Sequence, residues 1–529
     1  MELGSKGLEN VDLSLIDVRP PTRHGESLHE PIAIEVLSGA VKEALPEVDI
    51  RLTSNQFHDN GQIPNDALQS RVVGLSIGVG DWPTAQNVLD QAVRNGTGDQ
   101  VLVAGGSYAT YMPERLIEEV PHLVCIQGEG EEGLVKLLQI VMANRGKTRE
   151  QLTRLFVSNE VPGLAVRNDD VLVQIPQQTT DLSRAPLPDR VLLPETLSRG
   201  GVSLIEMGRG CQHNACSFCC IPGKHNGEKW RPKPIENIIQ DLRDLSNAGI
   251  TRVDLADEDF IGNDLDRAIK LCERILEEKR QGSLNPVLTF SFVDLRAKSL
   301  ISNDLMKQEK IMKLLGLMKQ AGFHEVFLGL ESGACAALKR MRKGSSPKIN
   351  AQAVAVLNEA NMPFDFGFIF FDKESSLGDL KESIRFLRET GLDHRHPRVI
   401  KKMRIQPGTV AGRNFLGYPG EDKPINMDLL AYEYDFDDPQ VVEVHNRFLE
   451  WEDQNKVSTD SFCRAIGYCD DVLRKELEAI LGEIRSTDLR VLEHIIDATE
   501  NCTAINLVQF HEEYSQLIDA GNSILLENN

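Results

Sequence analysis

Twice along this chain, short β-branched runs alternate with amphipathic helical stretches, and that repetition restricts the fold more than any other feature. The first run fills about the first 140 residues. Leu13 to Val18, Arg71 to Ile77, Val101 to Ala104 and Leu123 to Ile126 read as strands, and Glu30 to Leu45 and Thr84 to Arg94 carry helical periodicity. Such alternation implies a parallel sheet with helices on both faces. Ligands of these sheets bind at the C-terminal strand ends, where Gly78-Val-Gly80-Asp81-Trp82-Pro83, Gly105-Gly106-Ser107 and Gly128-Glu129-Gly130-Glu131 fall. The second run begins at Val202. Strands are expected at Val202–Met207, Arg252–Ala256, Val287–Phe292, Glu325–Leu330, Phe364–Phe370 and Val399–Ile405, with helical stretches between them. Six βα units in a row imply a partial parallel barrel whose site lies at the strands' C-terminal ends. Gly249, Gly322 and Gly391 fall where helices should stop.

Between the two runs the pattern loosens. Leu164 to Arg167 and Val171 to Ile175 flank Asn168-Asp169-Asp170, a hairpin signal, and Pro176, Pro186 and Pro188 mark an extended linker. After about Arg413 the alternation gives way to helical stretches near Val441–Gln454, Asp471–Glu483 and Val491–Thr499. The expected organisation is α/β: an N-terminal Rossmann-like domain over residues 1–142, a linker with a hairpin over 143–199, a partial (β/α)6 barrel over 200–412 and a helical C-terminal region over 413–529. The length of 529 residues agrees with about three domains. A net charge of −22 argues against nucleic acid as a partner, because an acidic surface repels phosphates. No apolar run reaches the length of a membrane span, and Met1-Glu-Leu-Gly-Ser-Lys6 does not resemble a secretory signal. Ten cysteines in this length are not a disulfide scaffold, so a cytoplasmic setting is expected.

The sharpest chemical signal is Gly208-Arg-Gly-Cys211-Gln-His213-Asn-Ala-Cys216-Ser-Phe218-Cys219-Cys220, directly after the first barrel strand. Three thiolates on one short loop can bind three irons of a cubane cluster and leave a fourth iron open. A structural zinc site would need four ligands, which Cys211, Cys216, Cys219 and Cys220 or His213 could supply, although adjacent cysteines suit one tetrahedral ion poorly. Buried free cysteines are the third reading.

The loop resembles the radical SAM signature Cys-x3-Cys-x2-Cys, with an aromatic before the last cysteine. Cys216-Ser-Phe218-Cys219 fits its second half. Four residues rather than three separate Cys211 from Cys216, which leaves Cys220 as an alternative to Cys219. The resemblance implies a [4Fe–4S] cluster on Cys211, Cys216 and Cys219, with its open iron chelating S-adenosylmethionine (SAM), whose reductive cleavage gives a 5′-deoxyadenosyl radical. It further implies SAM contacts from Phe218, from Asp257 and Glu258 after the second strand, and from Ser291 and Arg296 on the third. Glu331 and Ser332 in Gly329-Leu-Glu-Ser-Gly333, Gly367 and Ile369 on the fifth strand, and Gln406 after the sixth complete that set.

The elements of the first 140 residues resemble the cobalamin-binding domain that precedes such barrels in one large subgroup. Arg19-Pro-Pro21 belongs to that resemblance. It implies cobalamin contacts from Gly80, Asp81, Trp82, Gly105, Gly106, Ser107, Gly128, Glu129 and Gly130. The Asp-x-His-x-x-Gly motif of a lower axial histidine is absent, so the lower corrin face is expected to meet Asp81 and Trp82. Cys125, Cys272 and Cys335 read as buried free thiols, and Cys463, Cys469 and Cys502 as unclustered.

The implied activity is C-methylation of an unactivated carbon in a small molecule or peptide. One SAM would methylate cobalamin and a second would supply the radical, with an electron donor such as flavodoxin or ferredoxin. The C-terminal helices are expected to close or line the substrate cavity. A cobalamin-containing radical SAM enzyme doing a rearrangement or cyclisation, and a non-catalytic metal-stabilised binding protein, remain alternatives. A tRNA methylthiotransferase is disfavoured by the charge and by the lack of a basic RNA-binding tail.

Overall fold

The computed structural model describes residues 11–20, 28–80, 82–96, 98–397, 399–417, 423–468 and 471–527. Pro21, Asp81 and Cys469, named above, lie outside them, as do the first ten residues. Strands β1 (Leu13–Val18), β2 (Ile50–Ser54), β3 (Val72–Ile77), β4 (Val101–Gly105) and β5 (Val124–Ile126) form a parallel sheet in the order β2-β1-β3-β4-β5. Alternate side chains feed two cores. Leu13, Leu15, Val72 and Val103 pack under helices Ile32–Ala44 and Glu131–Ala143, while Ile16, Val73, Leu75 and Ile77 pack under helix Trp82–Asn95 on the opposite face. The hairpin expected inside the linker, β6 (Leu164–Asn168) and β7 (Val171–Gln174), instead extends this sheet antiparallel from β5. Leu164, Ala165 and Val166 are fully buried there, which a free linker could not achieve.

The barrel wall consists of two three-stranded parallel sheets. Ser203–Ile205, Arg252–Leu255 and Thr289–Ser291 form one, and Val293–Arg296, Val326–Glu331 and Phe364–Phe368 the other. They meet where Phe292 interrupts the third barrel strand with φ +56, an outlier for a bulky residue. Of the expected sixth strand only a parallel bridge of Lys402 to Phe371 forms. Past it the chain pairs elsewhere, the Tyr432 amide donating to the Ile405 carbonyl at 2.8 Å. Gly322 ends helix Leu305–Ala321 with φ +104, and a Cβ there would stand 2.5 Å from the Leu288 carbonyl oxygen.

Helices Pro439–Tyr468, Asp471–Glu500 and Val508–Glu527 confirm a helical C-terminal region. They bury their apolar faces on the barrel's outer layer, where Arg388 of helix Leu377–Glu389 meets Glu493 at 2.7 Å. Among the described residues none of the three lines either of the two cavities described below. None of the described helices is long and apolar enough to cross a membrane.

The linker is fixed by charge. Arg190 donates to Glu30 at 2.6 Å and Asp241 at 2.8 Å, joining the N-terminal domain, the linker and the barrel. Beside it Glu35 is fully buried and accepts the Leu192 amide at 2.9 Å. Burial, and then the neighbouring Glu30, push the Glu35 carboxyl from 4.5 up to about 9. Its Oε2 and Oε1 of Glu30 have no other partner, so a shared proton satisfies both. The folded state therefore holds this proton between pH 4.5 and about 9 while the unfolded state does not, and stability falls as pH rises across that window. Glu35→Gln should flatten the decline: melting temperature against pH should fall more steeply for the unsubstituted protein than for the variant.

Candidate functional site

The cysteine loop leaves the first barrel strand and is pinned along its length. Gly208 and Arg209 pair antiparallel with Arg231 and Pro232. The Gly210 amide donates to Glu258 at 2.9 Å and the Gln212 amide to Asp259 at 3.1 Å. Asn214, left-handed at φ +49, turns the longer stretch between Cys211 and Cys216. Cys211, Cys216 and Cys219 then line one cavity of about 210 Å³ at the barrel mouth. Cys220 does not; it faces the N-terminal domain, where the Tyr111 hydroxyl donates to its carbonyl at 2.5 Å.

Burial raises the three thiols, Cys216 to about 11 and Cys219 to about 12, and neighbouring sulfurs add to both shifts. Crowded thiols of this kind ionise when a metal centre takes them. Among the described residues no three acidic, histidine or cysteine side chains converge on one ion position. A mononuclear zinc site is therefore unsupported, whereas a cubane spreads its thiolates over separate irons.

The same cavity is lined by Phe218, Glu258, Arg296 and Glu331 of the expected SAM contacts. Arg296 is braced by Asp259 at 2.6 Å. The others lie outside the lining. Alternation along the chain turns Asp257 away from the lumen; it is buried, accepts the Met207 amide at 2.7 Å, and burial raises its pKa well above the carboxylate range. Ser332 faces outward to Ser383 at 3.2 Å. Gly367 backs Glu331, whose Oε2 lies 3.3 Å from where a Cβ would stand. Ile369 packs with Phe218 in an adjoining apolar cluster, and Ser291 and Gln406 lie outside the cavity. Sequence reasoning missed Lys343, which lines the cavity and pairs with Glu331 at 2.7 Å, and Asp294, whose carboxyl burial raises to about 7.

A second cavity, of about 260 Å³, lies between the N-terminal sheet and helix Ile32–Ala44. Gly105, Gly106, Gly128, Glu129 and Gly130 line it. Gly80, Trp82 and Ser107 do not. Trp82 packs against Tyr108, with tilted rings whose centroids are 4.9 Å apart, within the core on the opposite face of the sheet.

The two cavities share a charged wall. Glu258 receives Lys224 at 2.7 Å and His225 at 3.2 Å, and His225 Nδ1 meets Glu129 at 2.6 Å. Arg209 is buried among Glu131 at 2.6 Å, Glu206 at 2.9 Å and Glu129 at 3.1 Å. Burial opposes charge on Glu129 and Glu258, but their cationic partners outweigh it and hold both at about 2. Burial likewise opposes charge on His225, and its two carboxylates outweigh it, so its pKa is raised. Glu129 thus serves the wall as well as the cavity. His225 and Lys224 follow the cysteine loop without any motif that would announce them.

A sequence profile of the radical SAM superfamily matches residues 205–387. Those residues are a radical SAM domain. Such a domain implies a [4Fe–4S] cluster and SAM. The 4′-phospho-dehydrooxetanocin synthase of Priestia megaterium is 27% identical over 349 residues, 62% of this chain and 44% of that protein. The chain thus spans less than half the length of that relative. An uncharacterized methyltransferase of Pyrococcus horikoshii is 25% identical over 403 residues, 72% of this chain and 79% of its own. The cobalamin-dependent S-adenosylmethionine radical enzyme OxsB, solved with aqua-cobalamin bound, has the same fold, with a TM-score of 0.80 at 19% identity over 98% of this chain and 80% of its own.

The junction between the N-terminal domain and the radical SAM domain rests on Arg209. Arg209→Met leaves buried Glu131 without a cation, while Glu129 keeps His225 and Glu206 keeps Lys233, and should cost about 3–5 kcal/mol. Calorimetry should show the single unfolding endotherm moving down or splitting in two, with earlier proteolysis in the linker.

Proposed function

We propose that this chain is a cobalamin-using radical SAM enzyme that methylates an unactivated carbon of a small molecule or peptide. The observation that carries the reading is the pairing of a three-thiol cavity with a glycine-lined cavity across one charged wall. When bound, the cluster and SAM supply a carbon-centred radical, and cobalamin supplies a methyl carrier.

This chain's residues would do the holding. Cys211, Cys216 and Cys219 would ligate the cluster, and Cys220 would not. Glu331, on the residue pattern that suggested it, would accept the ribose hydroxyls. Arg296 and Lys343, both braced by carboxylates, would face the SAM carboxylate, with Glu258 near its amino group. Phe218 would shield the cluster from water.

In the second cavity Gly105 faces open space. The nearest heavy atom to an added Cβ would be 4.0 Å away, so a side chain there would occupy the volume that the corrin or its nucleotide tail needs. A second reading, a rearrangement or cyclisation without methyl transfer, draws support from a relative named a synthase rather than a methyltransferase.

Anaerobic reconstitution with iron, sulfide and hydroxocobalamin tests these assignments. Serine at Cys211, Cys216 or Cys219 should abolish the iron–sulfur absorbance and SAM cleavage, while Cys220→Ser should retain both. Gly105→Leu should exclude cobalamin, read from its visible spectrum after gel filtration, while iron content stays unchanged. Methyl transfer predicts S-adenosylhomocysteine and 5′-deoxyadenosine in equal amounts. Deoxyadenosine alone would sustain the second reading, and intact SAM with reduced protein would refute both.

A further inference from the structure

One concentration of positive charge has, apart from Lys343, no role in the proposed chemistry. From Lys339 to Lys348 the chain carries five cations (Lys339, Arg340, Arg342, Lys343 and Lys348) and no acid, in a protein of net charge −22. This run is wrapped around the back of the cysteine loop. Ser217, the residue after Cys216, donates its amide to the Met341 carbonyl at 2.8 Å and its hydroxyl to the Arg340 carbonyl at 3.0 Å. The His213 ring bonds the Arg342 carbonyl at 2.7 Å.

The run divides its charge between two sides. Lys343 turns inward to Glu331 and the thiol cavity. Lys339, Arg340 and Arg342 line a separate cavity of about 610 Å³ that Ser217 also lines. Asp372 at 2.8 Å and Asp379 at 3.0 Å neutralise Arg340. Lys339 and Arg342 are exposed and form no ion pair among the described residues.

Unpaired cations grouped on an acidic protein favour an anionic partner and steer its approach. The radical reading requires an electron from outside the chain. This surface lies one peptide bond from a cluster-ligand position, on the side away from the cavity assigned to SAM, so a partner here would leave that cavity clear.

We infer that Lys339 and Arg342 form the docking surface for an acidic one-electron carrier protein. The carrier loses one electron and the cluster gains it, with no bond made or broken and no proton moved. The inference rests on the radical SAM reading proposed above.

The test uses the full reconstituted protein, reduced flavodoxin as the carrier and dithionite as a small reductant. In Lys339→Glu/Arg342→Glu, flavodoxin-driven SAM cleavage at low ionic strength should fall at least about tenfold, because reversed rim charges slow association. Dithionite-driven cleavage and iron content should not change. The neutral pair Lys339→Gln/Arg342→Gln should lie between, which guards against misfolding of the reversed variant. Calorimetric binding of oxidised flavodoxin should weaken with salt in the unsubstituted protein and vanish in the reversed variant. Unchanged flavodoxin-driven cleavage, or an equal loss with dithionite, would overturn the docking surface. If the unsubstituted protein cleaves no SAM with dithionite, the enzymatic reading fails, and the calorimetric comparison alone decides the surface.

Discussion

Arg209 is one guanidinium on which two domains converge. Glu129 and Glu131 reach it from the loop after β5, and Glu206 from the end of the first barrel strand. Apolar packing is non-directional and would tolerate sliding of one domain on the other. Buried charge tolerates no such freedom, because a displaced carboxylate loses its partner without gaining water. The glycine-rich loop and the cysteine loop are therefore registered to each other by ion geometry. Lys224, His225 and Glu258 extend the same contact into the wall between the cavities.

Two adjacent acids, Asp257 and Glu258, are shifted in opposite directions, and the reason is their surroundings. Glu258 meets Lys224 and His225 and is held at about 2. Asp257, one residue earlier, points to the other side of the strand end and accepts one backbone amide, and burial, which that bond and Lys233 only partly offset, raises its pKa well above the carboxylate range. Its carboxyl caps the Met207 amide, while its neighbour lines the site. A pattern of acids in the sequence cannot separate these roles, since only the direction of each side chain decides which cations it meets.

The same limit explains how much of the molecule was legible in its sequence. The two alternating runs announced the sheet and the barrel because apolar periodicity reports burial directly. The cysteine loop was legible because few chemistries need three thiols so close together. That Trp82 falls outside the glycine-lined cavity was not legible, because its loop lies at a strand end, where ligands are expected, while the face of the sheet it occupies depends on how helix Trp82–Asn95 packs. The hairpin's attachment to β5 was hidden because pairing of an edge strand is non-local. Lys343 and His225 escaped because each gains its role from a carboxylate distant in sequence or in another domain, Glu331 for one and Glu129 for the other.

Charge on the two sides of the cysteine loop differs in kind. Within the barrel mouth Glu258, Asp294 and Glu331 stand beside Arg296, Lys298 and Lys343, and burial and then Glu258 raise Asp294 to about 7. Behind the loop stand Lys339 and Arg342, both exposed, and Arg340, which Asp372 and Asp379 neutralise. The loop thus lies between a mouth of mixed charge and an outer surface that exposes Lys339 and Arg342. That separation follows from where Ser217 is tethered: its hydrogen bonds to Arg340 and Met341 keep the basic run on the outer side.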